Sequence, residues 1–199
     1  MSFSPDEVDA RRLVRACSES LDAARALLDA EPHLLFARDG LGETALHYLA
    51  VENQLEAVQF LFMRGAALNT VSNVDGSPLS EAASLGYESL VEWLLANGAE
   101  IELPGQGEPT ILNSAASGNA AIVSMLLAAG ANPRTTNDLN ETALHIAAAS
   151  DERLSVTELL LEAGASVEAN SAFGTPLEIA IQTGSVGTAA LLRSRIAPA

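Results

Sequence analysis

The sequence predicts an all-α repeat solenoid of stacked helix-turn-helix units joined by short β-hairpin-like loops, and three observations carry that prediction. Ala (36) and Leu (30) supply about a third of the 199 residues, whereas only eight are aromatic. Small and unbranched side chains in that proportion suit closely packed helices better than a β-rich core. Hydrophobic residues reach 48%, enough apolar surface to offset ordering entropy and exclude intrinsic disorder. Finally, two markers recur in phase along most of the chain, as repeat architectures require.

The first marker is a turn before an apolar stretch, bearing a hydroxyl in four of its five copies, with equivalent positions at 44, 77, 109, 142 and 175, spaced 33, 32, 33 and 33 residues apart. The second is Gly-Ala at Gly65-Ala66, Gly98-Ala99, Gly130-Ala131 and Gly164-Ala165, which follows the first by 21 residues three times and by 22 once. Each element then has a chemical reason. Thr44, Ser77, Thr142 and Thr175 stand where a hydroxyl can satisfy free helix N–H groups. Pro78 and Pro176 fall at the first helical position, where proline loses no hydrogen bond. Inner helices are expected at about 45–52, 78–85, 110–117, 143–150 and 176–183. Gly86, Gly118 and Gly184 end three of them, and Asn53 takes that place in the first. Outer helices follow at about 55–63, 88–96, 120–128, 154–162 and 186–194.

The markers also carry a resemblance. The stretches Thr44-Ala45-Leu46-His47, Ser77-Pro78-Leu79-Ser80, Pro109-Thr110-Ile111-Leu112, Thr142-Ala143-Leu144-His145 and Thr175-Pro176-Leu177-Glu178 resemble the Thr-Pro-Leu-His-like signature of ankyrin repeats, whose period is about 33 residues. The resemblance implies one ankyrin-repeat domain over 1–199. It divides into an N-terminal capping helix pair (1–38), repeats at 39–71, 72–103, 104–136 and 137–169, and a fifth repeat with the C-terminal cap at 170–199. Repeat 3 departs from the pattern, with Pro109 at the Thr place and Leu112 at the His place, and loses both side-chain hydrogen bonds. Repeat 4 carries one extra residue near Ser150-Asp151-Glu152-Arg153.

Charge and composition exclude several functions. The chain holds 26 acidic and 10 basic residues, all Arg, for a net charge of −16. Phosphate binding on the scale of nucleic acid needs clustered Lys or Arg, so neither nucleic acid nor an anionic membrane is expected as partner. No apolar run approaches the ~18 residues of a membrane span. Met1-Ser2-Phe3-Ser4-Pro5-Asp6-Glu7 lacks the apolar segment of a secretory signal, and a cytoplasmic location is expected. Cys17 is alone, so no internal disulfide and no cysteine zinc site is available. His47 and His145 occupy equivalent positions too far apart to form a metal pair, and the resemblance implies that each bonds backbone in the adjacent hairpin. His33 has no ligand partner at metal spacing, Cys17 is expected as a buried small hydrophobe, and Trp93 as core packing. With no nucleophile elbow, phosphate loop or paired-His zinc motif, no enzyme activity, cofactor or metal is expected.

What remains is surface. The resemblance implies a concave face built from hairpin tips and inner helices. Its expected protein-binding residues are Leu41, Glu43, Tyr48, Val51 and Glu52 in repeat 1, with Val74, Glu81, Ser84 and Leu85 in repeat 2. Repeat 3 supplies Gln106, Glu108, Asn113 and Ser117, and repeat 4 supplies Asp138, Leu139, Glu141, Ile146 and Ser150. Exposed apolar residues rimmed by charge mark protein-binding sites. Between Arg64 and Arg134 lie 69 residues without a basic side chain, including Asp75, Glu81, Glu88, Glu92, Glu100, Glu102 and Glu108. A one-sign surface of that kind steers a basic partner. The function read from the sequence is a monomeric module that inhibits or sequesters a basic partner protein, for example an immunity protein masking a bacterial toxin. A scaffold joining partners and a bacterial effector acting on host proteins are the alternatives.

Overall fold

A computed structural model describes residues 5–74 and 76–196, without the side chains of residues 5–8. The reading of the first residues as lacking a leader, and the acidic Asp75, lie at least partly outside the described residues. Twelve α-helices run in order among those described. They divide into two compact units, 1–107 and 108–199.

In the first unit, α1 (Pro5–Glu19) and α2 (Leu21–Ala30) form a helix pair, followed by a 3-10 turn over Pro32–Phe36. The pair is pinned by Arg12, which donates to both Glu31 carboxylate oxygens at 3.1 and 2.6 Å. Two inner-outer pairs follow: α3 (Ala45–Val51) with α4 (Leu55–Met63), and α5 (Pro78–Ser84) with α6 (Glu88–Ala96). The capping pair packs on α3, and α3 packs on α5. Leu13, Leu34, Leu46, Leu49, Leu61, Leu79, Leu90 and Leu94 are fully buried.

The second unit holds three pairs: α7 (Thr110–Ser117) with α8 (Ala120–Ala128), α9 (Ala143–Ala148) with α10 (Leu154–Glu162), and α11 (Pro176–Thr183) with α12 (Val186–Arg195). Its core gathers Ile111, Leu112, Val123, Leu144, Val156, Leu160, Ile179 and Leu192 from all three.

Helix starts follow the expected cap chemistry. Ser77 and Ser80 form a reciprocal capping box, each hydroxyl accepting the other's backbone N–H at 3.1 and 2.8 Å. Thr175 and Glu178 do the same in the last repeat. Gly118 and Gly184 end α7 and α11 in the left-handed region at φ 74° and 73°, where a Cβ would be strained.

The hairpin-like loops carry isolated antiparallel bridges at Thr136–Thr142 and Ser171–Gly174. Two expectations need correction. The inner helix of repeat 4 ends at Ala148 rather than 150, because Ser150 accepts the Glu152 N–H and caps a 3-10 turn over Asp151–Arg153. Trp93 is half-buried; instead of filling the core it meets Phe62 edge-on at 5.4 Å.

Candidate functional site

The hairpin of the first unit is organised by a residue the sequence reading passed over. Asp39 is buried, and one of its carboxylate oxygens accepts the backbone N–H groups of Leu41 and Glu43, each at 2.9 Å. The other accepts the Tyr48 hydroxyl at 2.5 Å. Burial alone would raise the Asp39 carboxyl, but these hydrogen bonds outweigh it and hold it below its ordinary range. Burial, reinforced by Asp39, pushes Tyr48 up to about 12. Tyr48 is therefore half-buried and fixed, with the Arg11 guanidinium 5.9 Å from its ring centre. The available signal was register: Asp39 and Asn137 both stand five residues before a capping Thr.

Around this hairpin the expected apolar residues are exposed. Leu41, Val51, Val74 and Leu85 are each 43–52% accessible. Neighbouring tips are tied together, since the Asn73 N–H donates to the Leu41 carbonyl at 2.7 Å. Glu52 is exposed, whereas Glu43, Glu81, Ser84 and Gln106 are half-buried. Glu81 leans on Gly76, where a Cβ would collide with its carboxylate. Burial, with Glu43 as a like charge, raises the Glu81 carboxyl. Residues 1–107 carry 17 acidic and 6 basic side chains, so −11 of the net −16 belongs to this unit.

In the second unit Asn137 takes the place of Asp39. Its side-chain oxygen accepts the N–H groups of Leu139 and Glu141 at 3.0 and 2.9 Å. Its amide nitrogen donates to the carboxylates of Glu108 and Glu141 at 3.1 and 3.2 Å, which brings those two acids together. Leu139, Asp138 and Ser117 are exposed, while Asn113, Ile146 and Ser150 are half-buried. Beside Glu141 and Ile146 lies an open hollow of about 310 Å³, completed by Arg153, Phe173 and Gln182. Phe173 is 54% exposed. The sequence reading took no site residue from repeat 5 and so missed it; the signal was an aromatic residue at a hairpin tip.

The histidines do structural work. The Nδ1 atoms of His47 and His145 accept the N–H groups of Thr44 and Thr142, each at 3.0 Å. Their Nε2 atoms face the carbonyls of Thr70 and Ala169 at 3.2 and 3.1 Å. That arrangement calls for the neutral ring protonated on Nε2. Burial drives His47 down to about 4 and lowers His145. Cys17 is buried and its thiol is pushed up to about 11, the opposite of nucleophile activation. Among the described residues no cluster of three His, Cys, Asp or Glu could hold a metal, and no helix is long and apolar enough to cross a membrane.

Capped helix pairs, tied hairpin tips and an exposed rim of mixed character define a helical repeat protein of the interaction type. The chain belongs to the ankyrin repeat family: the family model for ankyrin repeats (3 copies) matches residues 13–105 and 111–197. Ankyrin repeats act as protein-protein interaction modules. The chain is 34% identical over 196 residues to human "Ankyrin repeat and SOCS box protein 16", covering 88% of this chain and 42% of that protein. It is 33% identical over 146 residues to "Ankyrin repeat protein nuc-2" of Neurospora crassa, covering 73% and 14%. It is 29% identical over 168 residues to the "Nuclear factor NF-kappa-B p105 subunit" of Gallus gallus, covering 81% and 17%. The chain thus spans less than half the length of each of these relatives.

Proposed function

We propose that this protein is a non-catalytic binding module that captures a basic partner protein and blocks its activity, as an immunity protein masking a toxin would. The observation that carries this reading is the inner-helix and hairpin rim of the first unit. Four exposed aliphatic side chains (Leu41, Val51, Val74, Leu85) stand among the carboxylates of Glu43, Glu52 and Glu81. The aliphatic residues supply desolvated contact area, and the acids select the sign of the partner. In the second unit, Glu108, Asn113, Ser117, Asp138, Leu139, Glu141, Ile146 and Ser150 extend the proposed contact set. The test is affinity capture on immobilised wild type and on the variant Leu41→Ser with Glu43→Arg. A retained protein of strongly basic composition that is lost on the variant supports the reading. An acidic partner, or equal retention by both, overturns it.

A further inference from the structure

The second unit carries a hollow of opposite character on its outer-helix side. Its volume is about 360 Å³, and its walls are Arg134, Arg195, Ser166 and Glu168 over a floor that includes Leu161 and Val167. Arg134 comes from the loop after α8 and Arg195 from the last turn of α12. Arg134 is anchored by its Nε–H, which donates to the Gly164 carbonyl at 2.9 Å, and its side chain lines the hollow. Neither arginine forms an ion pair with Glu168 or any other described carboxylate. In a chain with 26 acidic residues against 10 arginines, this hollow draws two guanidiniums from different repeats to one concavity. Arg12, Arg15, Arg25 and Arg64 each pair with an acid, and Arg38 and Arg153 donate to backbone carbonyls.

We propose that this hollow binds a phosphate monoester dianion attached to a small apolar body. Guanidinium forks match phosphate oxygens geometrically. Two of them balance a charge of about −1.5 to −2, which a single carboxylate does not carry. The Ser166 hydroxyl accepts the Glu168 N–H at 3.3 Å and keeps its own proton for a further acceptor. Leu161 and Val167 offer the apolar floor for the body of the ligand. Glu168 opposes the anion and sets the sign of an independent control.

The experiment is titration of the whole chain with phenyl phosphate, with benzoate as the carboxylate comparison, followed by calorimetry and by backbone amide shifts. Saturable binding of phenyl phosphate is expected, with shifts at Ser166, Val167 and Arg195 and a weaker response to benzoate. Arg134→Gln and Arg195→Gln should each weaken binding by about tenfold, the loss of one charge-assisted hydrogen-bonding group. Glu168→Gln should tighten it. Arg15→Gln on α1 removes the same charge elsewhere and should leave binding unchanged. All of these side chains are surface groups, and circular dichroism verifies folding of each variant. Binding that does not saturate, that survives both Arg134→Gln and Arg195→Gln, or that falls equally with Arg15→Gln overturns the proposal.

Discussion

The Asp151 carboxylate accepts the backbone N–H of Thr188 at 2.8 Å, reaching from the extended turn of repeat 4 to the outer helix of repeat 5. It also accepts the Gly187 N–H at 3.1 Å, and these bonds lower its carboxyl below the ordinary range. The residue before that helix, Ser185, makes no side-chain cap. The extra residue of repeat 4 therefore supplies the N-terminal cap that α12 lacks in its own sequence. Asp151→Ala should speed amide hydrogen exchange at Gly187 and Thr188, and Asp151→Asn should retain part of the protection. Unchanged exchange in Asp151→Ala contradicts this assignment.

Stability should fall on mild acidification through His47. Its folded value near 4 lies below its ordinary 6.5 because burial disfavours the charged ring. The stabilisation from the neutral ring is complete above pH 6.5 and is lost as pH falls toward 4, with a total of about 3 kcal/mol. Glu81 works in the opposite sense, since its raised carboxyl favours the fold at lower pH and gives that up as pH rises. Denaturant unfolding of wild type against His47→Gln isolates the histidine. The difference between them should shrink between pH 7 and pH 4, and a constant difference would count against the buried neutral ring.

His145→Ala should cost about 1–3 kcal/mol, because it leaves the Thr142 N–H and the Ala169 carbonyl without their partner. The loss should appear as lower cooperativity of the second unit in hydrogen exchange. A variant as stable as wild type would show that the capping bond contributes nothing.

Cys17 should resist iodoacetamide at pH 8 in the native chain and react quickly in denaturant. Burial keeps the thiol protonated to about 11. Chelators should leave the melting temperature within about 5 °C of the untreated value, on the order of 1–2 kcal/mol at this size. Rapid native alkylation would place Cys17 outside the core.

The repeat spacing made the helices legible. Capping hydroxyls at 44, 77, 142 and 175 fix inner-helix starts because an unsatisfied N–H is costly wherever the fold places it. Left-handed positions such as Asn53 and Gly118 fix their ends for the same local reason. Surface chemistry was legible in part: Leu41, Val74 and Leu139 were expected as exposed apolar tips and are exposed. Asp39 was not legible as a hub, because its partners Leu41, Glu43 and Tyr48 converge only once hairpin and helix are folded together. Asp151 escaped for a stronger reason. Its partners lie 36 and 37 residues away, in another repeat.

Association kinetics with the captured partner at two ionic strengths test the central claim most directly. Glu43→Arg should slow association, and the slowing should shrink as salt rises, since a rim charge acts through long-range steering. Leu41→Ala with Val74→Ala should instead speed dissociation with little dependence on salt, as loss of desolvated contact requires. Wild-type kinetics in both variants, together with loss of binding from Glu88→Arg and Glu92→Arg on the outer helix α6, would contradict the account.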